Sequence, residues 1–349
     1  MLTQREITTE YGLPAGYTLR GATLDDLPEA VDMFNAVSQQ ARGVNEFNVE
    51  TYRPEWSGPN FNLSEYVKVV QTLDGRIVGC VEVWDLFEPH TRINAWIKVH
   101  PAHQACGIEA ALLRFAEDKA RQSAIPRAPV EARVSLFNGV NDRETATNAA
   151  YAQAGYHLVR NLYHMQIELK VEPPAPVWPD GIRWRSFVPG RDEAALVWAE
   201  REAFRDHWGF MERPFEDDLT LLQHRMDRPD FEPALWWMVM APDAQGDEQC
   251  VGFCRNRTRA PGDAEMGWVS SLGVLRAFRR RGLATALLQK SFGEFYRRGK
   301  QRVGLGVDAQ NLTGALRLYE RVGMQVVRKD NTYEKELRPG VELSTQKIA

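Results

Sequence analysis

Apolar positions in the second half of the chain follow two rhythms. In "LWWMVMAP" (235–242) and "QCVGFCRNRTR" (249–259) they fall in short runs bounded by the turn-rich "DAQGDE", and "AEMGWVSSLGV" (264–274) follows as a longer run. Short apolar runs of this kind, rich in aromatic and branched residues, predict three successive strands. In "LATALLQKSFGEFYRRG" (283–299) the apolar residues recur every three or four positions, which predicts an amphipathic helix ending at Gly299. The pattern closes with a strand "RVGLGVDA", a short helix "TGALRLYERVG" and a last strand "TYEKEL". The predicted order is strand, helices, a meander of three strands, helix, strand, helix, strand. That order makes an α/β fold, a mixed central sheet with helices on both faces.

The same pattern stands in the first half. "AAYAQAGYHLVRNLYHMQIEL" (149–169) parallels "RLYERVGMQVVRKDNTYEKEL" (317–337): Tyr151, Gly155, Glu168 and Leu169 recur at one constant offset as Tyr319, Gly323, Glu336 and Leu337. "VHPAHQACGIEAALLRFAEDKA" likewise parallels "VLRAFRRRGLATALLQKSFGEF", with Gly107 answering Gly282. "YTLRGATLDDLPEAVDMFNAV" and "IRWRSFVPGRDEAALVWAEREAF" each read as strand, turn, helix. A repeat of domain size fits a 349-residue chain, since one core rarely serves more than about 250 residues. Between the copies runs "KVEPPAPVWPDG", whose prolines interrupt ladders and helices. The expected organisation is residues 1–170, a Pro-rich linker at 171–180, and residues 181–349.

Composition narrows the chemistry. With 44% hydrophobic and 26% charged residues, no apolar run approaches the ~20 residues of a membrane span, and "MLTQREITTEYG" carries no apolar signal core, so a cytoplasmic protein is expected. A net charge of −4 argues against a protein built to grip nucleic acid. Cysteines 80, 106, 250 and 254 form neither a disulfide framework nor a metal quartet. Cys250 and Cys254 are expected on one face of a strand as two buried small hydrophobes, with no metal.

The unusual stretch is "RAFRRRGLATALLQ", Arg276–Gln289, which sets four arginines and a glycine before a helix. A solvated basic face, a nucleic-acid contact and a phosphate seat all compete as explanations. Arginine at a helix start is electrostatically unfavourable unless an anion offsets it. The first turn offers unpartnered N–H groups, and a glycine and a small residue keep the approach open.

The spacing Arg279-x-x-Gly282-x-Ala284, with "SLGV" before it and "VGLGVDAQN" and "TGALRLYERVGM" after it, resembles motif A of the GNAT superfamily of N-acetyltransferases from Glu265 to Leu337. The two-copy layout is similar to that of mycothiol synthase and other tandem members. The resemblance implies a central sheet splayed at its middle, with acetyl-CoA as cosubstrate. Its pantetheine would pair with Leu272, Gly273 and Val274. Its pyrophosphate would rest on the amides of Arg279, Arg280, Arg281, Gly282, Leu283 and Ala284, with Thr285, Asn311 and Ala315 close by. Tyr319 matches the tyrosine that protonates the departing thiolate, a sensible pairing of a phenol of pKa about 10 with a thiol of about 8.5. An N–H of the splayed strand, that of Val274, would stabilise the thioester oxygen.

A base is needed as well, because freeing a lysine-like amine of its proton at neutral pH costs about 4 to 5 kcal/mol. Two candidates stand: Glu265, at the usual acidic position, and His207 in "FRDHWGF", beside Asp206. The first copy departs from the motif. Glu109 occupies the place of Ala284 and the arginines are missing, so weak or no CoA binding is expected there. The implied activity is direct acetyl transfer to a primary amine of a small molecule in a ternary complex in the second copy. The alternatives are acetylation of a cysteinyl amine, as by mycothiol synthase, and a non-catalytic acyl-CoA sensor. Nucleic-acid and membrane partners are not expected, and the acceptor and oligomeric state are left open.

Overall fold

A computed structural model describes residues 11–58, 61–85, 88–311 and 314–346. The stretch expected to lack a signal core falls mostly outside them, as does Thr313 in the last expected helix. The chain divides into two compact units, residues 1–161 with 330–343, and residues 162–329 with 344–349. Among the described residues no helix is long and apolar enough to cross a membrane.

The first repeat supplies β1 (Tyr17–Gly21), α1 (Leu27–Arg42), α2 (Val49–Trp56), α3 (Leu63–Tyr66), β2 (Val67–Thr72), β3 (Ile77–Trp84), β4 (Arg92–Val99), α4 (Ile108–Ala124), β5 (Val134–Asn141), α5 (Thr145–Gln153) and β6 (His157–Glu168). The second supplies β7 (Arg183–Ser186), α6 (Glu193–Phe204), α7 (Phe215–Met226), β8 (Trp236–Pro242), β9 (Glu248–Arg257), β10 (Met266–Val274), α8 (Leu283–Arg297), β11 (Arg302–Asp308), α9 (Ala315–Arg321) and β12 (Gln325–Arg338). The duplication read from the sequence is therefore a duplication of elements.

Both sheets are mixed. In the second unit β7, β8, β9 and β10 form an antiparallel run, β10 pairs with β11 in parallel, and β11 pairs antiparallel with Leu162–Glu168 of β6. In the first unit β1 to β4 run antiparallel, β4 is parallel to β5, and β5 pairs with Asp330–Arg338 of β12. The closing strand of each repeat thus lies in the sheet of the other unit. For this reason the compact division falls inside β6, instead of in the Pro-rich segment at 171–180 expected as the boundary.

In the second unit, α8 and α9 cover one face and α6 and α7 the other. Leu283, Leu287, Leu288, Phe292 and Phe295 bring α8 onto Val269, Val303, Leu305 and Val307. Each such side chain contributes about 1.5–3 kcal/mol by leaving water. The helix stops as its sequence indicates: Gly299 takes a φ of 76°, and Lys300 N–H bonds back to the Phe295 carbonyl.

The expectation that Cys250 and Cys254 share a face is corrected. A register irregularity on β9 between its pairs Val239–Gly252 and Met240–Cys250 shifts the alternation. Cys250 then packs among the residues of α6 and α7, and Cys254 among those of α8. Both are buried and free, and among the described residues no three His, Cys, Asp or Glu side chains are grouped to hold a metal.

Candidate functional site

β10 and β11 stay paired only from Met266–Arg302 to Val269–Leu305. Beyond that point β10 has an irregularity between Val269 and Ser271 and continues beside β9 alone. A bulge kinks a strand away from its neighbour, so a gap opens in the sheet between the upper half of β10 and β11. Leu275 N–H donates to the Val251 carbonyl of β9. Antiparallel ladders alternate their partners residue by residue, so Leu272 and Val274 turn their peptide groups to the opposite edge, into the gap. Gly273 sits where a Cβ would lie 2.4 Å from Phe253 and 2.9 Å from Ala203, which excludes any side chain.

Above the gap the chain turns into α8 through a loop of unusual conformation. Arg280 has a φ of 63° and Gly282, the N-cap, a φ of 88° with open space where its Cβ would be. Ala286 N–H makes the first helical bond, to the Gly282 carbonyl. Among the described residues the six N–H groups from Arg280 to Thr285 have no partner. A helix start with its donors unpaired can hold an anion. The exposed Arg280 and Arg281 add charge.

The gap and the loop belong to one crevice of about 1350 Å³. It brings together Leu272, Gly273, Val274, Arg279, Arg280, Gly282, Leu283, Ala284, Thr285, Asn311, Ala315, Tyr319 and His207 from the sequence reading. Two residues are not brought in. Arg281 lies outside the lining, its guanidinium 5.3 Å from the centre of the Phe278 ring. Glu265 is exposed just before β10, and a strand rise of ~3.3 Å per residue puts it roughly 20 Å from Leu272. It is too far from the gap to serve as a base there, which corrects the expectation.

Arg279 has a different task from the one its position suggested. Its guanidinium donates to both Asp206 carboxylate oxygens, one at 3.0 Å, to the Ala203 carbonyl at 2.9 Å and to the Val274 carbonyl at 3.1 Å, and its own N–H turns back to Arg276. It clamps the end of α6 to β10, and the paired charge holds the Asp206 carboxyl below its ordinary pKa against the opposing effect of burial.

Tyr319 is 8% exposed, and among the described residues nothing hydrogen-bonds its hydroxyl. Burial pushes its pKa up to about 12, so it holds its proton at neutral pH. His207 is half-buried against Phe204. Burial lowers its pKa, Asp206 and Asp308 pull upward, and Arg279 adds to the lowering. The net direction favours neutral imidazole at pH 7. Its loop is braced by the chain end: Gly209 N–H donates to the Thr345 carbonyl, Thr345 N–H to the Phe210 carbonyl, and Trp208 Nε1 to Gln346.

Two parts of the crevice were not foreseen. Asp308 ends β11 at the gap, where one carboxylate oxygen accepts from Gln310 N–H; its place at the carboxyl end of a central strand was the available signal. Val171–Pro174, read only as linker, also line the crevice.

The first unit keeps the loop but fills it. Ala105 and Gly107 repeat the left-handed conformation, at φ 58° and 102°. Glu109, which is buried, folds back to accept from Ala105 N–H at 3.0 Å. On β4, Lys98 stands where β10 has Gly273, and its ammonium binds both oxygens of Glu144 at 2.5 and 2.6 Å in a buried pair. Tyr151, the counterpart of Tyr319, is fully buried and stacks on Tyr333 at 5.1 Å.

The pattern of the acetyltransferase (GNAT) family matches residues 34–140 and again 195–324. The chain belongs to the GNAT acetyltransferase family. It is a tandem GNAT protein and an acyltransferase, and an acyl-CoA is the cosubstrate of that fold family. It is 31% identical to the mycothiol acetyltransferase of Salinispora tropica over 72% of this chain and 76% of that one. It is 35% identical to that of Thermobispora bispora over 50% of this chain, a match spanning 58% of the relative. A solved GCN5-related N-acetyltransferase from Sphaerobacter thermophilus, 33% identical, superposes with a TM-score of 0.79 over 96% of this chain and all of that one. A tandem GNAT protein from the clavulanic acid biosynthesis pathway, 17% identical over 93% of this chain and all of that one, shares the fold at 0.68.

Proposed function

We propose that the second unit of this GNAT protein transfers an acetyl group from acetyl-CoA to the primary amine of a small molecule, by direct attack in a ternary complex. The observation that carries this reading is the row of unpartnered amides at Arg280 and at Gly282–Thr285, which lines the crevice that holds Tyr319. The crevice fits the donor. The amides and Arg280 suit a pyrophosphate, and the inward-facing peptide groups of Leu272 and Val274 suit the amide-bearing arm and the thioester oxygen. Acetyl-CoA supplies the thioester: the amine nitrogen bonds to its carbonyl carbon, the C–S bond breaks, and the electron pair leaves on sulfur.

The residues then divide the proton work. Neutral His207 accepts a proton from the attacking nitrogen, whose acidity rises as the C–N bond forms. Before attack the bound ammonium gives a first proton to His207 and on to solvent, which frees the nitrogen lone pair; Tyr319 gives its proton to the departing thiolate and regains one, through solvent, from the second proton that His207 takes up as the C–N bond forms. Asp308 supplies a negative charge at the gap for the incoming ammonium.

The similarity to mycothiol acetyltransferases supports trying a cysteinyl amine as an acceptor. Thiol release from acetyl-CoA, followed across a panel of amines, tests the reading. Turnover with at least one amine, lost in Tyr319→Phe, is expected. A Tyr319→Phe protein with unchanged biological activity, set beside Gly282 substitutions that abolish it, would favour the acyl-CoA sensor instead.

A further inference from the structure

On the α6 side of the second sheet, side chains lie in rows set by register. Trp268 of β10 pairs with Gly304 of β11, Gly304 with Gln166 of β6, and Gly306 with His164. Two glycines on alternate positions of β11 leave a trough between β10 and β6. Trp268 leans into its lower end: a Cβ on Gly304 would lie 2.8 Å from the indole, so only glycine lets the ring lie there. The indole meets the His164 ring at 5.7 Å between centroids. Gly306, by contrast, is exposed, and its Cβ would meet nothing nearer than Leu162 at 3.9 Å.

Gly306 and Asp308 also line the crevice that holds Tyr319 and His207, so the trough opens into the reaction centre. Its upper end carries the Asp308 carboxylate. Its lower end is a half-buried aromatic wall whose indole N–H has no partner among the described residues.

We infer that this trough is the acceptor subsite and that it selects a primary amine carried on a ring, with the ammonium at Asp308 and the ring against Trp268. The dimensions of the trough follow from glycine on one strand and an indole on the next, and an aromatic face of this kind holds a flat-sided ring by stacking, with its N–H free for a ring substituent. This rests on the acetyltransferase reading, because it names the acceptor of that site.

The test uses three probes, 2-phenylethylamine, glucosamine and butylamine, each titrated calorimetrically into CoA-saturated protein and assayed for acetyl transfer. One or both ring amines bind tighter than butylamine. Trp268→Ala weakens the ring amine by about tenfold in Kd and KM, with butylamine held within about twofold and CoA affinity unchanged. Trp268→Phe restores most of the loss, which separates stacking from mere folding. Whether phenylethylamine or glucosamine responds distinguishes an aromatic ring from a sugar. An equal loss for butylamine, or ring amines binding no tighter than butylamine to the wild type, overturns the inference. Failure of CoA itself to bind sinks the acetyltransferase reading instead, and that titration is read first.

Discussion

The two glycine loops of this chain share a backbone and differ in what occupies it. Arg280 and Gly282 in the second unit, and Ala105 and Gly107 in the first, adopt the same left-handed turns into a helix. In the second unit Ala284 leaves the amides bare. In the first unit Glu109 bonds back to the Ala105 amide, and Lys98 with Glu144 places a buried ion pair where the second sheet has Gly273. The difference teaches that the loop fold is a stable structure in its own right. The proposed use of it as an anion seat depends on leaving its donors unsatisfied, since a carboxylate at a helix start is itself favourable.

The contrast can be broken most severely by moving the filler. Ala284→Glu is expected to weaken CoA binding by ~100-fold or more, since it removes a donor and adds repulsion toward a pyrophosphate; calorimetric titration reads it. Glu109→Ala is expected not to create a CoA site, because Lys98, Glu144 and Tyr151 still fill the first unit.

The two tyrosines offer the next test. Tyr319→Phe is expected to lower kcat by about 10²-fold with little change in CoA affinity, the range for a positioned general acid. Tyr151→Phe is expected to leave kcat alone and to shift stability by less than ~1 kcal/mol, in either direction, because its buried hydroxyl has no hydrogen-bond partner among the described residues. Thermal melts and steady-state rates together separate the two.

A smaller effect comes from pH. The lowered pKa of His207 means that the base is neutral above its ordinary value of about 6.5 and is protonated only in more acidic solution. At saturating amine, kcat is expected to be flat above about pH 6.5 and to fall below it, and His207→Gln should lower the plateau and remove the acid limb. The raised pKa of Tyr319, about 12, predicts no alkaline loss from its phenol through pH 9.

A last contrast concerns stability in the first unit and not catalysis: the second unit's partly exposed Ser271 and buried Arg255 are answered there by Trp96 and Glu82. Glu82 is fully buried, accepts from Trp56 Nε1 at 2.7 Å and from the Tyr52 hydroxyl, and burial raises its pKa to about 8. A carboxyl that binds its proton more tightly when folded stabilises the fold below the unfolded pKa and loses that contribution as pH rises through about 4.5 to 8. Unfolding free energies from denaturant titrations should therefore fall across that window, by at most a few kcal/mol in total, and Glu82→Gln should flatten the slope.

Much of this was legible in the sequence, for identifiable reasons. The period of α8, the stop at Gly299 and the repeat of Tyr151 with Tyr319 are local signals, and they gave both repeats their elements. The open glycine turn before α8 was readable from Gly282 and Ala284, and the first loop differs through one side chain, Glu109, which bonds back to the Ala105 amide. What escaped was non-local. No spacing within β6 or β12 says which sheet each joins. Glu265 matched an expected acidic position, but the length of β10 separates it from the gap. The commitment of Arg279 to Asp206 depends on where α6 ends, and a single bulge moved Cys250 and Cys254 to opposite faces.

The central claim is that one loop in this chain is open and the other is filled by its own protein. Calorimetric stoichiometry of CoA binding to the intact wild-type chain tests it most directly. The account predicts one CoA per chain; two per chain, or none, would contradict it.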